Sequence, residues 1–264
     1  MYELTAPLRQ TRMMIGLTDE SPLKWKNVEA KKKATVHRID KCEHYNGEKF
    51  PVVRFRSSIK GPCLGLKMVE YIMNIDERAQ WDPQIDALTD MYIANNLDDV
   101  NAVLPDEYGN CAMFGIGYTR TKRYLVVDGR EQLTLCGLQE FANGGALIWG
   151  VEIEERHDAL FPQDQKRHTR AKTCLYSTAL VPTGEGTFDA EYILQLDPGG
   201  NLPSFLTTPI MIDSVKTMFS QAKRDFGDGD MMKEWMDAHP RNSDNNDDRN
   251  EEMMKERLGL LLTP

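Results

Sequence analysis

The sequence predicts an α+β domain in which an antiparallel sheet is covered by one long helix close to the C-terminus. Many short runs of alternating apolar and polar residues follow one another, separated by Gly, Asp and Asn. A wide apolar helical pattern comes after the last of these runs. Consecutive strands followed by a closing helix are typical of antiparallel α+β domains. The chain has 264 residues, of which 41% are hydrophobic, and this is enough for a large core.

The first elements are an arm, a strand and a helix. Residues 1–24 mix Arg, Met and Pro without periodicity, and we interpret them as an N-terminal arm. The folded domain is expected to cover residues 25–226. Within it FPVVRFRSS (50–58) alternates apolar and basic residues, which indicates a half-buried strand. GPCLGLKMVEYIMN (61–74) has apolar residues at helical spacing, and its Pro62 suits a first helical turn.

Six further runs predict the rest of the sheet. The last of them alternates most clearly, with Asp189, Glu191 and Gln195 on one face. Its other face carries the apolar residues Phe188, Ala190, Tyr192, Leu194 and Leu196. The six runs are DALTDMYIA, CAMFGIGY, EQLTLCGLQEF, ALIWGVEIEE, AKTCLYSTALV and TFDAEYILQL.

The closing helix has an apolar surface wider than one packed face needs. Asn201 suits the N-cap and Pro203 the first turn. Its apolar residues include Phe205, Leu206, Ile210, Met211, Ile212, Val215, Met218, Phe219 and Ala222. A helix that packs by one face needs an apolar stripe over about a third of its circumference. Two explanations stay open: the helix is deeply buried in the core, or one side of it closes over an apolar ligand.

Pro209 lies about one turn into this helix. Proline removes a helical hydrogen bond and favours a kink, so the position is a candidate hinge for a lid. The alternative is that a first turn ends at Thr208 and a new helix begins at Pro209.

Composition and charge restrict the function. A formal net charge of −9 argues against a protein whose main role is to coat nucleic acid. Five single cysteines without a C-x-x-C pair, and no N-x-S/T sequon, favour a reducing compartment. The N-terminus lacks a signal-peptide core, and no apolar run approaches the roughly 20 residues of a membrane span. We therefore expect a cytoplasmic protein that associates with membranes only transiently.

Composition changes again after Phe226. Residues 227–264 contain ten acidic and five basic residues, so their net −5 is more than half of the total of −9. This segment is also rich in Asn, which is typical of a solvated, flexible tail.

Four stretches of the chain form a recognisable series: WKNV (25–28), YIMNIDERAQWDPQI (71–85), KRYLVV (122–127) and DPGGNLPSFL (197–206). In order and spacing they resemble the START family, the steroidogenic-acute-regulatory-protein-related lipid-transfer family. The four correspond in turn to its first strand, its helix with an Arg…Trp-Asp-Pro turn, its Arg-Asp-Phe-Val-like segment and the turn into its C-terminal helix. The similarity covers essentially the whole folded part.

This resemblance implies a helix-grip fold, in which a curved antiparallel sheet wraps around the C-terminal helix and encloses an apolar cavity. It also implies a non-enzymatic protein without a cofactor that carries one phospholipid, sterol or ceramide between membranes. Two positions depart from the family. Tyr124 stands where the family has the Asp of its Arg-Asp-Phe segment, and CAMFGIGY (111–118) has no acidic residue to pair with a cavity arginine.

The residues predicted to face this cavity form two sets. A few convergent polar groups in an apolar pocket usually fix a ligand's head group. The polar or amphipathic set is Tyr118, Arg123, Trp149, Tyr176 and Tyr192, and the apolar set is Leu206, Ile210, Met211, Val215 and Phe219. A register slip of one residue would turn each strand residue outward, and most buried aromatic residues belong to a core. Trp81 and Asp82 are assigned to a structural turn.

TRTKR (119–123) carries three basic residues in five. Near an anionic leaflet each contributes about 1 kcal/mol, so Arg120 and Lys122 are candidate membrane-docking residues. The alternative is an ordinary solvated loop.

Two other functions stay open. One is a cyclase- or aromatase-like enzyme on the same fold, which would use cavity tyrosines and acids. The other is a lipid-regulated adaptor whose acidic tail binds a partner. The sequence has no G-x-S-x-G, Walker A or H-E-x-x-H motif, and its five histidines are not paired at metal spacing, so we expect no metal site.

Overall fold

The architecture is an antiparallel sheet with a long helix against one face. The computed structural model of the chain describes residues 25–31, 34–39, 50–60, 69, 71–72, 78, 80, 82–93, 97–102, 110–123, 127–153, 168–184, 186–200, 202, 204–226 and 229–238. Its strands are β1 (Lys26–Lys31), β2 (Ala34–Ile39), β3 (Val52–Lys60), β4 (Ile85–Ile93), β5 (Asn110–Thr121), β6 (Gly129–Glu140), β7 (Ala146–Glu152), β8 (His168–Arg170), β9 (Lys172–Gly184) and β10 (Thr187–Asp197). Its helices are α1 (Asp98–Asn101), α2 (Ser204–Phe226) and α3 (Gly229–Ala238).

The strands lie in the order β1-β2-β3-β10-β9-β7-β6-β5-β4, so the last strand, β10, lies inside the sheet between β3 and β9. Neighbours along this path are antiparallel, and the short β8 pairs with β6 in parallel. The edge strands β1 and β4 do not pair with each other, so the sheet is not closed.

The face that α2 covers holds the larger part of the core. Because side chains alternate along a strand, every second residue of β3 and β10 points at the helix. The Phe55 and Phe219 ring centroids are 4.7 Å apart, and those of Tyr192 and Phe219 are 5.7 Å apart. The Tyr71 hydroxyl donates to Asp225 Oδ2 at 2.9 Å, which fixes the last turn of α2. The helix therefore packs tightly at its C-terminal half.

The opposite face of the sheet is also buried. Leu147, Trp149, Leu175 and Ile193 are each at most 2% exposed and form a second apolar cluster. At the edge of this face the Arg54 guanidinium stacks over the Trp25 ring at 4.1 Å, next to the start of β1. Both faces of the central strands are thus apolar. An apolar residue in these strands therefore does not by itself show which face of the sheet the helix covers.

The predicted fold class is confirmed, and the seven runs predicted as strands correspond to β3, β4, β5, β6, β7, β9 and β10. Val69, Tyr71 and Ile72, from the predicted first helix, are helical and buried. The short strands β2 and β8 were not predicted. α2 runs unbroken through Pro209, so a helix that ends at Thr208 is wrong.

The segment 227–264 was predicted to be a flexible tail, but its residues Gly229–Ala238 form the helix α3. Apolar residues there recur at helical spacing among the acids (MMKEWM), and this pattern has more weight locally than composition does. The predicted N-cap Asn201, the arm at 1–24 and residues 239–264 lie outside the described residues.

Candidate functional site

A pocket of about 380 Å³ lies between α2 and the face of the sheet that the helix covers. Strands β5, β6, β9 and β10 line one side of it and the first half of α2 the other. Its apolar wall includes Met113, Leu194, Leu196, Ile210, Met211 and Val215. The exposed residues Pro83, Lys122, Arg123 and Asp128 also line it, and they mark its open end.

The wall formed by β6 changes in polarity along its length. Arg130, Gln132, Thr134 and Cys136 line the pocket in succession, because alternate residues of a strand share a face. This row spans about 20 Å at roughly 3.4 Å per residue. Thr173 Oγ1 donates to Gln132 Oε1 at 2.8 Å, and the hydroxyls of Thr134 and Thr173 are 3.1 Å apart. The polar groups therefore lie towards the open end and the least polar group towards the interior.

Beside this row, β5 leaves open space. Gly117 pairs with Thr134 and lines the pocket, and a Cβ added at Gly117 would meet no atom within 4 Å. The pocket therefore owes part of its volume to a missing side chain on β5.

Arg130 is the most buried cation of the pocket wall, with 9% of its surface exposed. Its Nη1 donates to the backbone oxygens of Asp128, at 2.5 Å, and Gly129, at 3.3 Å. Burial lowers the pKa of Arg130, and the Asp128 carboxylate only partly offsets this effect. Among the residues that the structure describes, none accepts a hydrogen bond from Arg130 Nε.

Arg78 and Asp82 form a second charged group on the pocket wall. Arg78 Nε donates to Asp82 Oδ2 at 2.9 Å, and the Gln84 backbone N–H donates to Asp82 Oδ1 at 3.1 Å. Asp82 therefore stabilises the turn before β4, as its predicted structural role requires, and it also lines the pocket. Trp81 lies outside the described residues.

Tyr176 and Tyr192 form the inner aromatic part of the pocket, with ring centroids 5.6 Å apart. Burial raises the pKa of Tyr176 to about 12 and raises that of Tyr192 as well. Both phenols are therefore neutral near pH 7 and offer a ligand apolar ring surface and a hydroxyl group.

The structure brings together most of the predicted cavity residues that it describes. Arg123, Tyr176, Tyr192, Ile210, Met211 and Val215 line the pocket, and so does Lys122. Phe219 instead belongs to the core beneath the pocket, against Phe55 and Tyr192. The side chain of Leu206 lies outside the described part of the chain.

The predictions for Tyr118 and Trp149 are wrong, because both side chains lie on the opposite face of the sheet. Trp149 is 2% exposed in the second apolar cluster and donates from Nε1 to Gln139 Oε1 at 2.6 Å. The Tyr118 hydroxyl donates to Glu131 Oε2 at 2.9 Å. In each case the neighbouring residues of the strand face the helix, so the assumed alternation was off by one residue.

Arg120 also points away from the pocket, and its guanidinium forms an ion pair with Asp86. Lys122 and Arg123 are exposed at the open end of the pocket. The exposed side of the basic loop is therefore formed by Lys122 and Arg123, and Arg120 is already paired.

The sequence analysis missed the polar row on β6. Its signal was present in REQLTL (130–135), where Arg130, Gln132 and Thr134 alternate with a buried set that includes Leu133. The sequence alone assigned no face to this strand, and Leu133 and Leu135 lie on the side away from the helix. A strand that shows its polar side to a covering helix is a sign of a cavity between the two.

The described residues contain no group of three or more His, Cys, Asp or Glu side chains arranged to hold a metal ion. None of the helices in the described part of the chain is long and apolar enough to cross a membrane.

Comparisons with known proteins agree with this architecture. No protein-family model and no curated protein matches the chain. Among solved structures, human STARD10 is 15% identical with a TM-score of 0.62, covering 86% of this chain and 82% of that one. Human StAR-related lipid transfer protein 5 is 12% identical with a TM-score of 0.63, covering 89% and 97%. A STAR-related lipid transfer protein fragment from Xanthomonas axonopodis is 15% identical with a TM-score of 0.55, covering 76% and 98%. The chain therefore has a START-like helix-grip fold.

Proposed function

We propose that this protein is a non-enzymatic lipid carrier that holds one lipid between α2 and the sheet and moves it between membranes. The observation that carries the proposal is the pocket of about 380 Å³, with an apolar helix on one side and a polar row at its open end. The START-like fold supports it, because the solved structures of that fold named above include proteins described as lipid transfer proteins.

A carrier of this kind acts by keeping apolar surface away from water. Each buried methylene is worth about 0.8 kcal/mol, so a lipid with ~30 methylenes would lose on the order of 20–25 kcal/mol on entering water. A dry pocket of matching polarity keeps the methylenes out of water, so most of this free-energy cost is avoided. The apolar side of α2 supplies such a surface, and this gives its unusual width a function beyond core packing.

The experiment is native mass spectrometry of the protein after incubation with a total lipid extract. We expect one dominant mass shift that is released on denaturation as a single lipid class of unchanged mass. No bound lipid from any extract would contradict the carrier, and a ligand recovered as a chemically altered product would favour the enzyme.

A pocket-filling variant provides the structural control. Gly117→Leu projects a side chain into the open space beside Thr134, and we expect it to abolish lipid binding. Val181→Phe adds the same number of carbon atoms, four, at an exposed position of β9 and should bind lipid like the parent protein. Equal binding by both variants would place the lipid elsewhere.

The proposed cellular setting is the cytoplasm, with transient contact with membranes through the exposed basic end of the pocket. Lys122 and Arg123 are exposed at this end, where attraction to an anionic leaflet would orient the opening towards the lipid.

A further inference from the structure

The charge of the pocket contrasts with the charge of the chain. Four basic side chains, Arg78, Lys122, Arg123 and Arg130, line the pocket with two acidic ones, Asp82 and Asp128, whereas the whole chain carries −9. Arg78 is paired with Asp82 at 2.9 Å, and Arg123 is 3.9 Å from Asp128. Of the described cations that line the pocket, Arg130 is therefore the deeply buried one that forms no ion pair, since the Asp128 carboxylate acts on it only at longer range.

A buried cation without a counter-ion is unfavourable, because it loses its hydration and gains no ion pair in return. Backbone oxygens satisfy Nη1 of Arg130, and no described residue accepts from Nε. An anionic group in the pocket would supply the missing acceptors, and a guanidinium binds carboxylate or phosphate with two parallel N–H donors.

Gln132, the next residue of the polar row, adds donors in the same direction. Its Oε1 accepts the Thr173 hydroxyl proton at 2.8 Å, so its amide nitrogen keeps two N–H donors. No described residue accepts from that nitrogen. The open end of the row thus presents donors from two neighbouring side chains, which is the arrangement that an oxyanion needs.

The apolar part of the ligand would lie beyond this polar end. The pocket has a volume of about 380 Å³ and continues past the open space at Gly117. Beyond Thr134 the row continues to Cys136, and the thioethers of Met113 and Met211 line the same apolar part.

We propose that the ligand is an anionic amphiphile, whose carboxylate or phosphate binds Arg130 and Gln132 while an apolar chain lies along Gly117 and Cys136 towards the methionines. This rests on the proposed function, since it names the class of lipid that the same pocket would carry.

The test measures dissociation constants for ligands with the same 14-carbon chain and different head groups. The probes are tetradecanoate, tetradecyl phosphate and the neutral tetradecanol, with inorganic phosphate as a further arm. We expect at least one of the two anionic amphiphiles to bind more than tenfold tighter than tetradecanol, and which one it is identifies the head group. Inorganic phosphate should bind weakly.

Two variants locate the charge effect. Arg130→Met keeps most of the side-chain volume and should reduce the affinity for the anionic probe to that for tetradecanol, while tetradecanol binding stays unchanged. Arg130→Lys retains the charge and should keep part of the preference, which separates charge from damage to the fold. Arg120→Met removes a cation from the opposite face of the neighbouring strand and serves as the matched control with parent-like binding.

The outcomes separate the two proposals. If no amphiphile binds, the proposed function fails as well. If tetradecanol binds as tightly as the anionic amphiphiles, the carrier stands and the anionic ligand is overturned. Binding of inorganic phosphate at the affinity of tetradecyl phosphate would overturn the assignment of the site to a lipid.

Discussion

At the scale of single residues, Gly117 and Gly137 show how differently two glycines of adjacent strands can act. Gly117 faces the pocket, and a Cβ added there meets nothing within 4 Å. Gly137 faces the other way, and its Cβ would lie 2.5 Å from Trp149 Cζ2 and 2.7 Å from Nε1. The absent side chain at Gly117 leaves room for a ligand, whereas at Gly137 it leaves room for a tryptophan.

Gly137→Ala should therefore lower the free energy of unfolding by about 1–3 kcal/mol, since the indole cannot move without breaking its hydrogen bond to Gln139. Gly117→Ala should stay within about 0.5 kcal/mol of the parent protein. Chemical denaturation of both variants checks this. Equal losses of stability would show that the Trp149 contact is not the cause.

His37 gives a prediction about pH. Burial lowers its pKa below the ordinary value of 6.5, and repulsion from Arg54 and Arg56 lowers it further. The unfolded chain therefore binds a proton at His37 more readily than the folded protein does. The stability of the parent protein should fall as the pH drops below about 6.5.

The measurement compares the free energy of unfolding near pH 7.5 and near pH 5.5 for the parent and for His37→Gln. The variant should lose less stability between these two values than the parent does. Identical slopes would mean that His37 titrates alike in the folded and unfolded states.

At the scale of the elements, the sequence predicted where most strands lie but not always which face they show. The clear alternation of β10 placed Tyr192 and Leu194 correctly on the helix side. The faces assigned on β5 and β7 were wrong, because the face away from α2 is covered as well and Trp149 is only 2% exposed there. A hydrophobic pattern shows which face of a strand points into the core only where the other face is polar and solvated.

The elements that were missed are short or depend on distant partners. β8 has three residues, and Arg170 on it donates from Nε to the buried Glu131 at 3.3 Å. Such a strand depends on partners elsewhere in the sheet, namely its pairing with β6 and this ion pair, and no local pattern in the sequence indicates it. The same holds for the pocket, since its lining residues come from strands as far apart in the chain as Ile85 and Leu196.

The next prediction concerns a hinge in α2. Pro209 is its sixth residue, is exposed, and precedes Ile210 and Met211, which line the pocket. Proline leaves the oxygen of residue 205 without its helical hydrogen bond, so the first turn can open at low cost. Pro209→Ala should restore that bond, stiffen the helix and slow lipid exchange several-fold.

Transfer of a fluorescent lipid between vesicles measures the exchange rate, and equilibrium binding of the same lipid should not change. Asp213→Ala, at an exposed position about one turn further along α2, is the control and should exchange lipid at the parent rate. If Pro209→Ala exchanged lipid at the parent rate, α2 would not hinge at Pro209.

At the scale of the whole molecule, the START-like fold could be predicted because it depends on the order of elements along the chain, and that order is visible in the sequence. The pocket's charge could be predicted only in part: the basic stretch indicated Lys122 and Arg123, whereas Arg130 was missed because only the folded sheet brings it to the same opening. Total charge and local charge have opposite signs here, and the local one decides how the molecule meets a membrane.

The exposed pair Lys122 and Arg123 should therefore direct docking. Each contributes about 1 kcal/mol near an anionic surface, so replacing both with Ala should weaken binding to phosphatidylserine vesicles roughly 30-fold at low salt. Arg123 is 3.9 Å from Asp128, but both side chains are well exposed, and such a pair leaves the cation available. Vesicle co-sedimentation at increasing ionic strength measures the effect, which should shrink as salt screens the charges.

Arg120→Ala is the matched control, because this arginine lies on the same basic stretch but is paired with Asp86 on the other face of the sheet. It should bind vesicles within about twofold of the parent protein. If Arg120→Ala weakened binding as much as the double variant, the membrane would contact the chain's basic stretch as a whole. The opening of the pocket would then not be what faces the leaflet.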